Sequence, residues 1–177
     1  LYAQEDITAA DGSIIPADGL LEIVSVDENG QAMCKTDLPF GSFYLKELST
    51  DSHYLPSGET FPFTFEYGGP SVAVVEINAN DGEAISNELI RGEIRGMKTD
   101  ENGTGLSGAV IGLFQSDETE FTAENALATA TSAEDGAFSF SDVPFGNWVL
   151  KELESPEGFI LSDEVIPVTV EEDGQVV

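Results

Sequence analysis

Large apolar residues recur at every second position along much of this chain, the mark of strands with one buried face. Residues 146–154 read GNWVLKELE and residues 41–49 read GSFYLKELS. Trp148 and Leu150 share one face of the later stretch, and Phe43 and Leu45 share the matching face of the earlier one. The same alternation carries Glu152 and Glu47 inward and turns Lys151 and Lys46 outward. Turn signals separate the alternating runs: DENG at 27–30 and 100–103, YGGP at 67–70, NDG at 80–82, and EDG at 134–136 and 172–174. Pro39-Phe40-Gly41 and Pro144-Phe145-Gly146 predict a tight turn before each glutamate-bearing strand. TAENALA at 122–128 predicts a single helical turn.

The pattern repeats. Shifted by 105 positions, residues 37–66 align with 142–171 without a gap, and thirteen of the thirty pairs are identical. Identity at that level implies two copies of one domain. Ser57, Glu59 and Glu47 are among the residues that meet their own kind. Upstream, LLEIVSVDENG matches LATATSAEDG loosely and LYAQED matches LFQSDE. The expected domains are 1–91 and 92–177, joined near Arg91-Gly92 without a Gly/Ser linker. About seven short strands per copy predict an all-β chain of two tandem immunoglobulin-like β-sandwich domains. GEIRGMKTDENGTGLSGA at 92–109 has no counterpart in the first copy, and VVEINANDGEAISNELI at 74–90 none in the second. The first copy is therefore expected to lack its first strand, the second to lack its last, and the whole to be a fragment of something longer.

Charge narrows the partners. Six basic against 34 acidic residues give a net charge of −28, a surface that repels nucleic acid and anionic lipid. No apolar run approaches the length of a membrane span, so no membrane insertion is expected in this fragment. A single cysteine, Cys34, excludes an internal disulfide; its setting in AMCK predicts a small core residue on a strand. His53 stands alone in a loop and is expected to be solvated. Asn102-Gly103-Thr104 fits a glycosylation acceptor, but the DENG turn explains it. The acidic groups 117–120 and 171–173 lack the spacing of a calcium loop, so neither metal nor cofactor is expected. No phosphate loop, HExxH, GxSxG or Ser/His/Asp set is present, which argues against an enzyme that turns over.

Two further polar residues fall on inward faces. In GEIRGMKTD, Lys98 follows Ile94 and Gly96; in GEAISNELI, Asn87 lies between Ile85 and Leu89. Burying an isolated charge costs several kcal/mol unless it is paired or neutralised. Over one complete repeat the core would receive a lysine, a glutamate and an asparagine. A lysine in apolar surroundings is pushed toward the nucleophilic amine, and a desolvated carboxyl toward the form that polarises an amide. An ordinary ion-pair cluster, with Lys98 snorkelling to solvent, is the competing reading.

GEIRGMKTD, the blocks LPFGSFYLKEL and VPFGNWVLKEL, the SPEGF turn and the strand ending ISNEL together resemble the collagen-adhesin B-type domain, also called the SpaA-like or prealbumin-like domain, of Gram-positive surface proteins and pilins. The resemblance spans essentially the whole chain. It implies a spontaneous Lys–Asn isopeptide bond assisted by an acid, with Lys98 and Glu152 serving the second domain and Glu47 and Asn87 the first. It also implies a stalk segment of an extracellular, cell-wall-anchored adhesin or pilin-like protein. The expected partners are neighbouring domains of the same protein, with host extracellular matrix or glycan engaged through another region. The alternative is an adhesive module that itself grips a host protein or glycan. The aromatics here mostly fit inward positions, which favours the stalk.

Overall fold

A computed structural model describes residues 1–8, 11–81 and 83–177. Its strands are β1 (Tyr2–Ala3), β2 (Ile7–Thr8), β3 (Ile14–Ile15), β4 (Gly41–Lys46), β5 (Tyr54–Leu55), β6 (Thr60–Phe65), β7 (Glu88–Leu89), β8 (Arg91–Met97), β9 (Val110–Gln115), β10 (Ala128–Thr131), β11 (Ala137–Pro144), β12 (Gly146–Glu154) and β13 (Val165–Val170). No helix occurs among the described residues, and the chain is an all-β sandwich protein. Two compact units form: unit 1 holds 1–50 and 56–88, and unit 2 holds 51–55 and 89–177.

In unit 2 the sheet β10-β9-β12-β13 and the pair β11-β8 enclose one core. Ile94 of β8, Leu113 of β9, Phe140 and Val143 of β11, Trp148 and Leu150 of β12 and Val170 of β13 all point into it. Gly96 lies directly under the Phe138 ring on the neighbouring strand, where a Cβ would have no room. The segment 175–177 runs parallel along β8, through a bridge between Glu93 and Val176.

Unit 1 repeats part of this scheme. Its sheet β1-β4-β6 and the hairpin β2-β3 pack around Leu1, Ala3, Ile7 and Phe43. The rungs of β4 on β6 run from Gly41↔Phe65 to Lys46↔Thr60, and those of β12 on β13 from Gly146↔Val170 to Lys151↔Val165, the same shift that aligns the sequence. Tyr2↔Tyr44 likewise matches Phe114↔Val149, as the LYAQED–LFQSDE correspondence requires. The two DENG turns are also built alike. Gly30 N–H donates to the Asp27 carbonyl and Gly103 N–H to the Asp100 carbonyl, with both glycines at positive φ, 74° and 82°. The NDG turn at 80–82 includes a residue outside those described.

Several local expectations need correction. The first copy carries seven strands among the described residues, β1–β7, as the spacing suggested, but five of them are only two residues long, and residues 21–40 and the described part of 66–87 form none. Cys34 is exposed and unstranded. In the second copy Phe140 is buried where Ile94 of β8 pairs with it, and no described strand does this for residues 31–36. The Cys34 thiol instead donates to Glu22, whose carboxylate also accepts the Lys35 and Thr36 N–H groups. These bonds, the thiol's foremost, hold the Glu22 carboxyl at about 2. TAENALA forms a single turn, as expected, in which the Asn125 and Ala126 N–H groups both donate to the Thr122 carbonyl. His53 is exposed but not alone: its ring pairs with Asp51 and sits edge-on to Phe145, centroids 4.6 Å apart.

Candidate functional site

Each unit buries or half-buries one carboxylate at the same place. Glu152 lies near the end of β12, and its side chain is 4% exposed. Alternation puts it below Trp148 and Leu150, on the face that packs into the core. Oε2 accepts the Ser162 N–H at 2.7 Å, and Lys98 Nζ lies 2.9 Å from Oε1. The lysine contact is an ion pair rather than an aligned hydrogen bond, because Oε1 is buried and accepts no directed bond. Lys98 follows β8 directly, continuing the inward row of Ile94 and Gly96, and its side chain is 22% exposed.

Glu47 occupies the matching place just past β4. Its Oε2 accepts the Ser57 N–H at 2.6 Å and the Asn87 Nδ2 donor at 2.6 Å. Ser57 and Ser162 are repeat counterparts, and each hydroxyl also accepts the N–H two residues on, from Glu59 and Glu164. A strand carboxylate facing inward, one oxygen tied to the backbone ten residues downstream, is therefore a duplicated feature and not an accident of one loop. Lys98 is held in unit 2 with its glutamate, and Asn87 in unit 1 with its own.

Two sequence inferences about neighbours were wrong. Ile85 and Leu89 do not share a buried face with Asn87; both are exposed and Asn87 is half-buried. Only Glu88–Leu89 of that segment is in a strand, so period-two alternation does not govern residues 83–87. Lys151 does leave the core face, but it is not solvated. Its side chain is 13% exposed and its ammonium donates to the Ser162 carbonyl at 2.8 Å, while Lys46 is exposed as expected. Sequence reasoning missed Ser57 and Ser162 altogether. Their signal was available: they are identical across the repeat, in a stretch between strands where little else is.

The chemistry of this arrangement is that of an acid touching an amine in one unit and a carboxamide in the other. Lys98 occupies the oxygen away from the serine N–H, and Asn87 the oxygen that the serine N–H shares. One carboxylate can therefore meet both groups at once. No group of three or more metal-ligating side chains occurs among the described residues.

Residues 92–177 match the family model of the SpaA prealbumin-like fold domain. This half of the chain is a SpaA-type domain. Among curated proteins no sequence match is found. Among solved structures, the TIE protein of Bacillus anthracis aligns with a TM-score of 0.66 at 21% identity, over 87% of this chain and 26% of that one. BcpA, the major pilin subunit of Bacillus cereus, aligns at 0.43 with 24% identity, over 51% of this chain and 29% of its own. A streptococcal ancillary pilin aligns at 0.41 with 23% identity, over 79% and 41%. The chain thus spans about a quarter of the TIE protein, and the likeness to it is one of fold.

Proposed function

We propose that this chain is a stalk segment of a Gram-positive, cell-wall-anchored adhesin or pilin-like protein. Its SpaA-type units are of the type stabilised by spontaneous Lys–Asn isopeptide bonds, with Glu47 and Glu152 as the assisting acids. The observation that carries this reading is the shared carboxylate geometry, with the amine on one oxygen and the carboxamide on the other. In the reaction the neutral lysine Nζ attacks the asparagine Cγ, a C–N amide bond forms and ammonia leaves. The carboxyl takes the proton from the attacking nitrogen and returns one to the departing nitrogen, ending as it began. Nothing turns over, so the acid serves once per molecule.

The mechanical rationale follows from where the residues sit. Lys98 directly follows β8, the first strand of its sandwich, and Asn87 directly precedes the terminal strand β7 of the other copy. A bond between first and last strands takes a pull on the chain ends before the hydrogen-bonded ladders do. The test is to continue the chain downstream until a strand resembling EAISNEL completes the second domain. Intact mass should fall by one ammonia, with Lys98 linked to that asparagine, and Glu152→Ala or Lys98→Met should block the loss. Full mass with Lys98 still reactive to amine reagents would leave an ion-pair cluster and end the isopeptide reading.

The adhesive-module reading has one observation in its favour. Phe40 and Tyr67 are 63% and 65% exposed, and the Phe40 ring packs against both Tyr67 and half-buried Phe65, an aromatic group not expected from the inward pattern. Saturable binding to a matrix protein or glycan, abolished by Phe40→Ser with Tyr67→Ser, would favour that reading; the stalk reading expects none.

A further inference from the structure

We propose that Lys151 is a positioning residue for Glu152, acting through the backbone of Ser162; this rests on the role given to Glu152 above. Ser162 is held through both peptide groups that flank its Cα. Its N–H donates to Glu152 Oε2 at 2.7 Å, and its carbonyl accepts Lys151 Nζ at 2.8 Å. Lys151 and Glu152 are consecutive on β12 and leave the strand on opposite faces, so the segment carrying Ser162 is gripped from both sides of that strand.

A carboxylate can present either oxygen by rotation about its last side-chain bond, which is broad and roughly two-fold. The Ser162 N–H removes that freedom by fixing Oε2, and so leaves Oε1 facing Lys98. The N–H keeps its aim only while the backbone at Ser162 keeps its position. Its N–H and its carbonyl lie in the two peptide groups that flank the Ser162 Cα, so the ammonium on the carbonyl resists a swing of this residue that would carry the N–H away from Glu152. Both flanking side chains are largely withdrawn from water, Lys151 at 13% exposed and Glu152 at 4%, so neither bond exchanges readily with solvent. The nearby Asp163 carboxylate is fully exposed and 3.9 Å from Lys151, too distant and too wet to supply the grip. Unit 1 has the N–H arm, from Ser57 to Glu47, but its Lys46 is exposed and makes no matching bond among the described residues. The two-sided clamp therefore belongs to the unit that holds the lysine nucleophile.

The experiment uses the 177-residue chain and compares Lys151→Met, which keeps the apolar stem, with Lys151→Arg, which keeps a charged donor. Amide hydrogen exchange at Ser162 should speed up roughly tenfold or more in Lys151→Met, as expected for loss of one hydrogen bond to a charged group. Exchange at Trp148 and Val168, within the β12–β13 ladder, should stay the same, and Lys151→Arg should restore Ser162. Labelling of Lys98 by an amine-reactive ester should rise in parallel, because a rotated Glu152 no longer covers it. Unchanged Ser162 exchange, or an equal rise across the whole ladder, overturns the proposal, as does faster Ser162 exchange without any change at Lys98. Lys151→Gln serves as the second variant if Lys151→Met does not fold. None of these readouts requires the amide bond to form. Failure to lose ammonia in the completed domain would end the isopeptide reading and leave the clamp to be decided by exchange.

Discussion

Glu152 and Lys98 offer the sharpest quantitative test of the site, through a double-mutant cycle of Glu152→Gln and Lys98→Met. The glutamine keeps the volume and the acceptor for Ser162 N–H but withdraws the charge opposite Lys98. Breaking a fully buried pair from one side costs about 3–5 kcal/mol. The Lys98 side chain is 22% exposed and can turn its ammonium toward water, so Glu152→Gln should cost less, about 1–2 kcal/mol. Lys98→Met should cost more, about 2–3 kcal/mol, because Glu152 at 4% exposed has no such escape and Oε1 has no other partner. The double variant removes both charges together and should fall well short of the sum. A coupling of about 1–3 kcal/mol is expected for groups in direct contact. Urea unfolding followed by Trp148 fluorescence is the assay, since this lone tryptophan is buried in unit 2 and reports that unit. A coupling within about 0.3 kcal/mol of zero would refute the pairing, as additivity is the behaviour of independent sites.

Other consequences can be checked separately. The Glu22 carboxyl is depressed to about 2 from its ordinary 4.5, so its support for the fold is present above pH 4.5 and is lost as pH falls through about 2. Glu22→Gln should flatten that acid limb, and carboxyl chemical shifts across the titration should show the midpoint. Gly103→Ala should destabilise unit 2 by about 1 kcal/mol, because residue 103 sits at a φ of 82°; equal stability by urea melt would show that the turn relaxes. Gly96→Val should cost about 1–3 kcal/mol by overpacking under Phe138, and a neutral result would mean that the ring swings aside freely.

How far the sequence revealed the fold depended on whether a segment had a neighbour to enforce its pattern. Alternation placed Phe43, Trp148, Leu150 and Ile94 correctly because each lies on a strand paired over several rungs. It failed at Cys34, Ile85 and Leu89, which lie where little or no ladder forms, and period two means nothing without the pleat. Glu47, Glu152 and Lys98 were legible as inward polar residues for the same reason that their apolar neighbours were. Lys151 was read correctly as leaving the core face, yet the segment after β12 folds over it, and no local pattern announces a covering loop. Ser57 and Ser162 contribute backbone N–H groups to the carboxylates, a role that residue type does not announce, so only their identity across the repeat points to them.

An inward carboxylate is a poor way to build a core. Replacing a buried ion pair with apolar residues of similar size is often neutral or stabilising, by about 1–4 kcal/mol. A leucine at 152 would continue the row of Trp148 and Leu150 into the same cluster without any need for Lys98. The repeat carries glutamate there twice instead, and each time the Ser162 or Ser57 N–H satisfies one oxygen. If the role were ballast, the unsubstituted second oxygen should find a backbone donor as the first does. It does not: in unit 2 that oxygen is buried with only the Lys98 ammonium against it. In unit 1 the carboxamide of Asn87 joins the serine N–H on the first oxygen. The Glu152 carboxylate is thus held firmly on one side and faces only an amine on the other, which supports the proposed proton transfer between an attacking amine and a departing ammonia better than it supports a packing role.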